Sequence, residues 1–588
     1  MCGIAGILHF NCVGTREVMR VERMLSALSH RGPDGRGMYQ HLPALCMGAV
    51  RLAIKDRFGS RQPLANTTGS IRLVYNGEIY NHSDLRRRLI GRGHTFNTDG
   101  DGEVIIHLYQ EDPTDFAAQL DGMFAFALWD EERQRLVLGR DRCGIKPLYY
   151  LHHEGRLSFA SEVKALVKDA AVPLGLNREA VEQYLSVRFA IPPGTVYAGI
   201  KKVEPGSTFM VEPDGGPTAR RFWDIGDGSE GEPASGALPN VLRAAVATTS
   251  LADSDVGVLL SGGIDSSAVA GLLAGVRRPK SFSVGYEGSG AEDERRYARR
   301  VAEHLRLAHR EVCVGRDAVP QLLAKTIWHL EEPVYTPVIV STYAVSQLAG
   351  SELRIALSGD GSDELLFGYH HFRATLRAAA AGDNWRRVYL DHLGWHSPRW
   401  LRLICPEPPR SAEVLEAMFV GVPPRLEPAD QMRWFEFHNK LPEYHLNRVD
   451  RLSMAHGLEV RVPFLRNDVV AWAFARPGTA LLSDRREKAP LREAVGGLLP
   501  ASILRRRKQK FTSPYRDWLD GALKGQVPDL LLGSGYHREF GLNRDGLHRL
   551  VLEADDPAGE GAQTLWGWFI LFYWYERVFR DLVRERAD

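Results

Sequence analysis

Short apolar runs separated by glycine-rich turns fill the first third of the chain: CGIAGILHF, LCMGAVRLAI, IRLVYNGEIY, GMFAFALWD, RLVLGRD, PLYYL and RLSFAS. Runs of this length bounded by turn residues predict strands, and their number predicts an α+β domain over residues 2–212. Between 213 and 239 the chain is rich in Pro, Gly, Ser and acids (PDGGPTA, DGSEGEPASGALP), the composition of a linker rather than of packed structure. Beyond it, strand and helix patterns alternate: DVGVLL, DSSAVAGLLAGV, KSFSVGY, EDERRYARRVAEHL, HREVCV, a helical stretch near 316–349, and LRIALSG. Tyr297, Ala298, Val301, Ala302 and Leu305 recur at the spacing of one helix face, as a crossover helix packed on a sheet requires. This alternation predicts an α/β domain with a parallel sheet over 240–588, with binding at the carboxyl ends of its strands. Residues from about 380 onward read as mainly helical.

Composition narrows the class without choosing a chemistry. The 588 residues are 44% hydrophobic and 25% charged, the usage of ordinary soluble domains. A net charge of +1 gives no electrostatic reason to expect nucleic acid or an anionic membrane as partner. Six sparse cysteines without a CxxC pair argue against a disulfide framework and a thiolate zinc site, and fit a reducing cytoplasm. The start MCGIAGILHF lacks the basic region and cleavage site of a signal peptide, and the densest apolar stretch, LWGWFILFYWY, is too short to span a bilayer. A soluble cytoplasmic protein is expected.

The stretch DVGVLLSGGIDSS (255–267) carries the clearest chemistry. An apolar strand ends in Ser261, Gly262 and Gly263, and a helix begins near Asp265, Ser266 and Ser267. Glycines let the backbone approach a phosphate, and a helix N-terminus presents unpaired N–H groups to it. An aspartate inside such a cradle makes sense when a cation neutralises it, so Asp265 suggests Mg2+ bridged to phosphate oxygens. The loop has neither GxxxxGK[ST] nor GxGxxG spacing. A second loop, LSGDGSDE (357–364), repeats the grammar; were its strand parallel to the first, Asp363 and Glu364 would reach the same sheet edge and could complete the metal site.

Cys2 supplies the second chemistry. Loss of Met1 would leave a cysteine with a free α-amine, a thiol and its general base in one residue. Behind it lie HRGPDGRG (30–37), VRLAI (50–54) and YNGEIYN (75–81). Asn76 and the Gly77 N–H could form an oxyanion hole, Arg51 could clamp a carboxylate, and Glu78 with Asp101 could hold an α-ammonium. Singly, an Asn-Gly turn or a surface arginine is more often structural; the inference rests on their joint presence.

In this order, MCGIAG, HRGPD, NGEIYN, SGGIDSS, SGDGSDE, VDRLSMAHGLEVRVPFL (449–465) and RRRKQKF (505–511) closely resemble the glutamine-hydrolysing asparagine synthetases, from residue 2 to about 520. The resemblance implies an N-terminal-nucleophile glutaminase, an αββα sandwich, joined to a synthetase domain of the pyrophosphatase-loop ATP type. It also implies a tunnel that carries ammonia between them and, by family habit, a homodimer. Carried over by position, Cys2 is the nucleophile, and Arg51, Asn76, Gly77, Glu78 and Asp101 bind glutamine. Leu260, Val284, Ser358 and Gly359 hold ATP, Ser261 to Ser267 (with Gly262, Gly263 and Ser266) lie on its phosphates, and Asp265 and Asp363 hold Mg2+. Lys508 matches a lysine that steadies the pyrophosphate, although its basic run reads equally as a solvated face.

The implied reaction is conversion of aspartate to asparagine through a β-aspartyl-adenylate, with release of AMP and pyrophosphate. An apolar passage would favour neutral ammonia by penalising charge. Two departures keep a different carboxylate, such as a natural-product intermediate, open as acceptor. Asp360 stands where the family usually has a glutamate implicated in amide formation, and the segment 331–349 is atypical.

Overall fold

The computed structural model describes residues 2–10, 12–56, 59–169, 171–213, 216–225, 236–288, 293–395, 397–407, 409–419, 421–482, 487–507, 513–554 and 560–587. Twelve strands come first: Cys2–His9 (β1), Gly35–His41 (β2), Leu45–Arg51 (β3), Leu64–Ala65 (β4), Ile71–Ile79 (β5), Gly122–Asp130 (β6), Arg135–Arg140 (β7), Tyr149–His153 (β8), Arg156–Ala160 (β9), Lys201–Lys202 (β10), Ser207–Val211 (β11) and Thr218–Arg221 (β12). They make two antiparallel six-stranded sheets, β10-β8-β9-β1-β3-β2 and β12-β11-β7-β6-β5-β4.

Alternation along the strands turns Ile4, Leu8, Met47, Val74, Leu138 and Phe159 into a layer between the sheets. Each such side chain contributes about 1.5–3 kcal/mol when fully buried. The helices Thr15–Ala27 and Val163–Val167 cover the outer face of the first sheet. Glu103–Glu111 covers the second, with His82–Gly91 beside it. Four layers result, the expected αββα sandwich.

The second sheet system contains Val256–Leu259 (β13), Lys280–Tyr286 (β14), Ala308–Val314 (β15), Ile355–Leu357 (β16) and Glu459–Arg461 (β17). All five are parallel, in the order β15-β14-β13-β16-β17. From β13 the chain moves outward to β14 and β15, then returns to place β16 on the other side of β13. The crevice at that reversal is where such sheets bind ligands, and both acid-bearing loops open into it.

Three expectations change in detail. Within the expected linker, Thr218–Arg221 pairs with β11 and Phe222, Trp223 and Ile225 are buried, so that part of it is packed structure. The helical stretch near 316–349 is two helices, Val319–Leu330 and Val338–Gly350, because Pro333 and Pro337 lack the N–H groups that a continuous helix would need. The mainly helical C-terminal part also contributes β17, a three-residue strand whose two charged residues hid it from pattern reading. Glu560–Trp574 is apolar on every side because it is wrapped by protein: Trp566, Trp568, Phe569, Phe572 and Trp574 are all buried. Among the described residues, no helix is long and apolar enough to cross a membrane.

Candidate active sites

The N-terminal pocket forms where β1 begins. Antiparallel pairing sets Cys2 opposite Arg51 on β3. Cys2 is buried, and its backbone N–H donates to Asn76 Oδ1 at 2.9 Å. Gln62 Nε2 donates to the Cys2 sulfur at 3.3 Å. The same side chain clasps the backbone of Tyr75, accepting from its N at 2.6 Å and donating to its O at 2.7 Å. Asn76 lies within β5 with Gly77 after it; its Nδ2 is buried and has no hydrogen-bond partner among the described residues. Burial pushes the Cys2 thiol above its ordinary value, while the amino-terminal charge, the Leu52 backbone and Arg51 pull the other way. The thiol is therefore protonated at rest and needs a base.

The other residues expected to bind glutamine lie around this point. Arg51 donates to the carbonyls of Lys55 and Asp56 at 3.1 and 2.7 Å, bracing the loop after β3. Asp101 accepts from Tyr75 Oη and Ile79 N, each at 2.7 Å. Glu78 is buried between Lys55 and Arg461, with Arg461 NH2 at 3.0 Å from Oε2. Burial raises the Glu78 carboxyl to about 7, with Arg461 and Lys55 opposing and Asp101 reinforcing the shift.

The second site is a cavity of about 520 Å³ at the carboxyl ends of β13 and β16. After β13, Gly262 takes φ +74, and a Cβ there would lie 2.5 Å from Tyr297 Cβ, so the tight turn demands glycine. The helix Ile264–Ala274 then starts, with Ser261 and Ser266 hydroxyls 3.0 Å apart at its mouth. Across the crevice, the loop after β16 brings Ser362 Oγ to donate to Asp265 Oδ1 at 2.7 Å.

Lys488 closes the gap between the loops. Its Nζ lies 2.5 Å from Asp265 Oδ1 and 2.6 Å from Asp363 Oδ1. Burial alone would depress this ammonium, but the two carboxylates outweigh it and hold it above the usual lysine value. Two hard oxygen donors converging on one cation, each partly open to the cavity, fit a Mg2+ ion that takes its other ligands from phosphate and water.

A set of buried ion pairs runs from Cys2 toward the second domain. Arg31 Nε donates to the Cys2 carbonyl at 3.3 Å, and its other nitrogens reach Glu162 at 2.9 Å and Asp450 at 2.7 Å. Asp450 also takes Lys146 Nζ at 3.0 Å. The helix Asn447–Met454 thus turns Asp450 toward the first domain and Arg448 toward the cavity, where Arg448 lies 3.6 Å from Asp360.

Residues 237–576 match the asparagine synthase family, and residues 1–223 match the glutamine amidotransferase domain. The chain belongs to the asparagine synthase family. By that membership it is a glutamine-dependent ligase. It is 29% identical to glutamine-hydrolyzing asparagine synthetase 1 of Bacillus subtilis over 98% of this chain and 96% of that protein. Asparagine synthetase 3 of the same organism is 30% identical, over 88% of this chain and 89% of its own length. Amidase chry2 of Gibberella zeae is 28% identical over 90% and 92%.

Of the residues expected in the synthetase site, Leu260, Ser261, Gly263, Asp265, Ser266, Val284, Ser358, Gly359, Asp360 and Asp363 all line the cavity. Gly262 and Ser267 do not. Gly262 offers its carbonyl to Arg506 at 3.1 Å, and Ser267 is fully buried within the first helical turn. Glu364 turns from the expected metal position to Tyr369 and His445, and burial beside Asp363 raises it to about 7. Lys508 lies outside the described residues; before it, half-buried Arg506 and exposed Arg507 both line the cavity. Lys488 and Gln62 were missed. The lysine just before the helix Ala489–Ala494 was the available signal for the first; nothing local marks the second.

Proposed function

We propose that this member of the family takes ammonia from glutamine and uses ATP to amidate a carboxylic acid, releasing AMP and pyrophosphate. The observation that carries the reading is Lys488 held between Asp265 and Asp363, facing a cavity at the reversal of a parallel sheet. In the first site, with Met1 removed, the Cys2 α-amine would take the thiol proton as sulfur attacks the glutamine amide carbon. The unpaired Asn76 Nδ2 is a buried donor that a developing oxyanion would satisfy, together with the Gly77 N–H. Arg51 would face the α-carboxylate, and Glu78 and Asp101 the α-ammonium.

In the second site, Leu260 and Val284 would pack the nucleotide. The loop from Ser261 to Ser266, at the mouth of a helix, would face the phosphates, with Ser358 and Gly359 across the crevice. Asp265 and Asp363 would hold Mg2+, which when bound neutralises charge on the phosphate oxygens. Lys488 sits where it would steady both carboxylates and the charge that builds on the departing pyrophosphate, a role that Lys508 would share. An acyl-adenylate hydrolyses readily, so ammonia delivered internally, along a passage between the sites, is chemically useful.

Aspartate is the acceptor proposed first, giving asparagine through a β-aspartyl-adenylate; it follows the names of the bacterial relatives. A larger or different carboxylate is the second reading. It is favoured by Asp360 drawn toward Arg448 and by a cavity end lined with His371, His392, Lys440 and Tyr444. An acceptor screen read by AMP and pyrophosphate release decides between them: turnover confined to aspartate supports the first. Cys2→Ala should lose glutamine-supported turnover and keep turnover with supplied ammonia; loss of both would defeat the division into two sites.

A further inference from the structure

The peptide that joins Gly262 to Gly263 is gripped at both ends. Its carbonyl, on Gly262, accepts from Arg506 NH1 at 3.1 Å, and its N–H, on Gly263, donates to Ser261 Oγ at 3.3 Å. A trans peptide carries these two groups on opposite sides, so the arginine fixes one face of the turn and the serine the other. Arg506 is held in turn by the helix Arg295–Leu305 and the residue before it. Its NH2 donates to Glu294 Oε1 at 2.5 Å, and its guanidinium lies 3.8 Å from the centroid of the Tyr297 ring. Tyr297 is also the residue that a Cβ on Gly262 would strike. Gly263 lines the cavity, whereas Gly262 does not.

We propose that Arg506 is a positioning residue that holds the Gly262–Gly263 peptide in the one orientation that leaves the cradle receptive to phosphate. The proposal rests on the reading of Ser261–Ser266 as the phosphate loop. With glycine on both sides, no Cβ opposes rotation of this peptide about its flanking bonds. The rotated form would turn the Gly262 carbonyl toward the Ser261 hydroxyl at the helix mouth, setting a partial negative charge where phosphate oxygens are expected. Ser261 does not choose between the two forms, because a hydroxyl accepts from an N–H and donates to a carbonyl with equal ease. Arg506 does choose, since a guanidinium only donates and is satisfied by the carbonyl alone. Glu294 and Tyr297 keep that guanidinium on the far side of the turn, away from the anion it would otherwise seek.

The test uses the full-length protein and the Kd of an ATP analogue with a methylene bridge between its α- and β-phosphates, titrated calorimetrically with Mg2+ present. Arg506→Met loses every donor and should weaken binding about tenfold or more, the scale of one charge-assisted hydrogen bond. Glu294→Gln separates positioning from direct contact. An arginine that grasped phosphate itself would be freed by this change and bind the analogue as well or better. An arginine that holds Gly262 loses its anchor instead, and the Kd should rise severalfold. The double variant should bind no more weakly than Arg506→Met alone, because both changes release the same peptide. Glutamine hydrolysis by each preparation reports an intact fold and should keep its kcat. A Kd unchanged or lowered in either single variant, additive losses in the double variant, or hydrolysis falling in step with analogue binding overturns the proposal alone. A wild type that does not bind the analogue overturns the reading of the loop, and the proposal with it.

Discussion

Lys488 meets Asp265 across 223 positions of sequence, Nζ to Oδ1 at 2.5 Å, and the contact joins two loops that each look incomplete. Without the ammonium, Asp265 and Asp363 would face each other as like charges at the mouth of the cavity. Lys488→Met should therefore reduce ATP-dependent pyrophosphate release on the order of 10²–10³-fold, the scale of losing one preorganised charge-stabilising donor. Glutamine hydrolysis should survive, since the Cys2 pocket does not share this lysine. Paired assays of pyrophosphate and glutamate on one preparation check both halves; an equal fall in both would mean that Lys488 supports the fold as a whole.

Glu78 predicts a pH dependence. Its carboxyl is raised to about 7, by burial first and by Asp101, against the pull of Arg461 and Lys55. Above that value it is ionised and can hold an ammonium; below it the carboxyl is protonated and cannot. The kcat/KM for glutamine should accordingly be full on the alkaline side and fall through neutrality, approaching tenfold per pH unit well below 7. Initial rates across the neutral range decide it, and a flat profile down to the ordinary glutamate range would remove Glu78 from contact with the substrate.

Asp450 tests the joint between the domains. Burial disfavours its charge, yet Arg31 and Lys146 outweigh that and hold its carboxyl below the usual aspartate range. A depressed acid contributes stability that is complete above its unfolded value and is lost as pH falls through the folded one. Asp450→Asn leaves Arg31 and Lys146 buried with one carboxylate fewer, a loss of about 3–5 kcal/mol at neutral pH. Urea denaturation should show an earlier midpoint, and the difference from wild type should narrow as the medium is acidified. A constant difference would mean that the pairs contribute through packing.

Local signals carried much of this architecture. β1 and β6 were readable because each is a nearly unbroken apolar run of eight or nine residues beside a turn, and Ser261–Ser267 was readable because an anion cradle needs small residues in consecutive positions. What escaped is closed over distance. Lys488 follows a polar stretch with no periodicity, and only folding brings it between two aspartates. β17 has three residues, two of them charged, and its meaning lies in the buried Arg461–Glu78 pair rather than in any pattern of its own. Lys508 is named by the family resemblance carried in RRRKQKF and lies outside the described residues, whereas no motif marks Lys488.

Gly368 offers the sharpest test of the Asp363–Lys488 arrangement, because it carries no functional group that could be lost. A Cβ on this residue would stand 1.7 Å from Asp363 Oδ1 and 2.1 Å from Lys488 Cε, well inside any permitted contact. The backbone has little room to yield, since Gly368 N donates to the Asp363 carbonyl at 2.9 Å and ties the two residues together. Gly368→Ala should therefore push the carboxylate and the ammonium apart and suppress pyrophosphate release nearly as far as Lys488→Met does, with glutamine hydrolysis intact. Catalytic geometry is sensitive to displacements of about 1 Å, which is less than this methyl group demands. If Gly368→Ala turns over ATP at the wild-type rate, then Asp363 and Lys488 are not in this arrangement when the reaction occurs, and the metal-holding role of Asp363 falls with it.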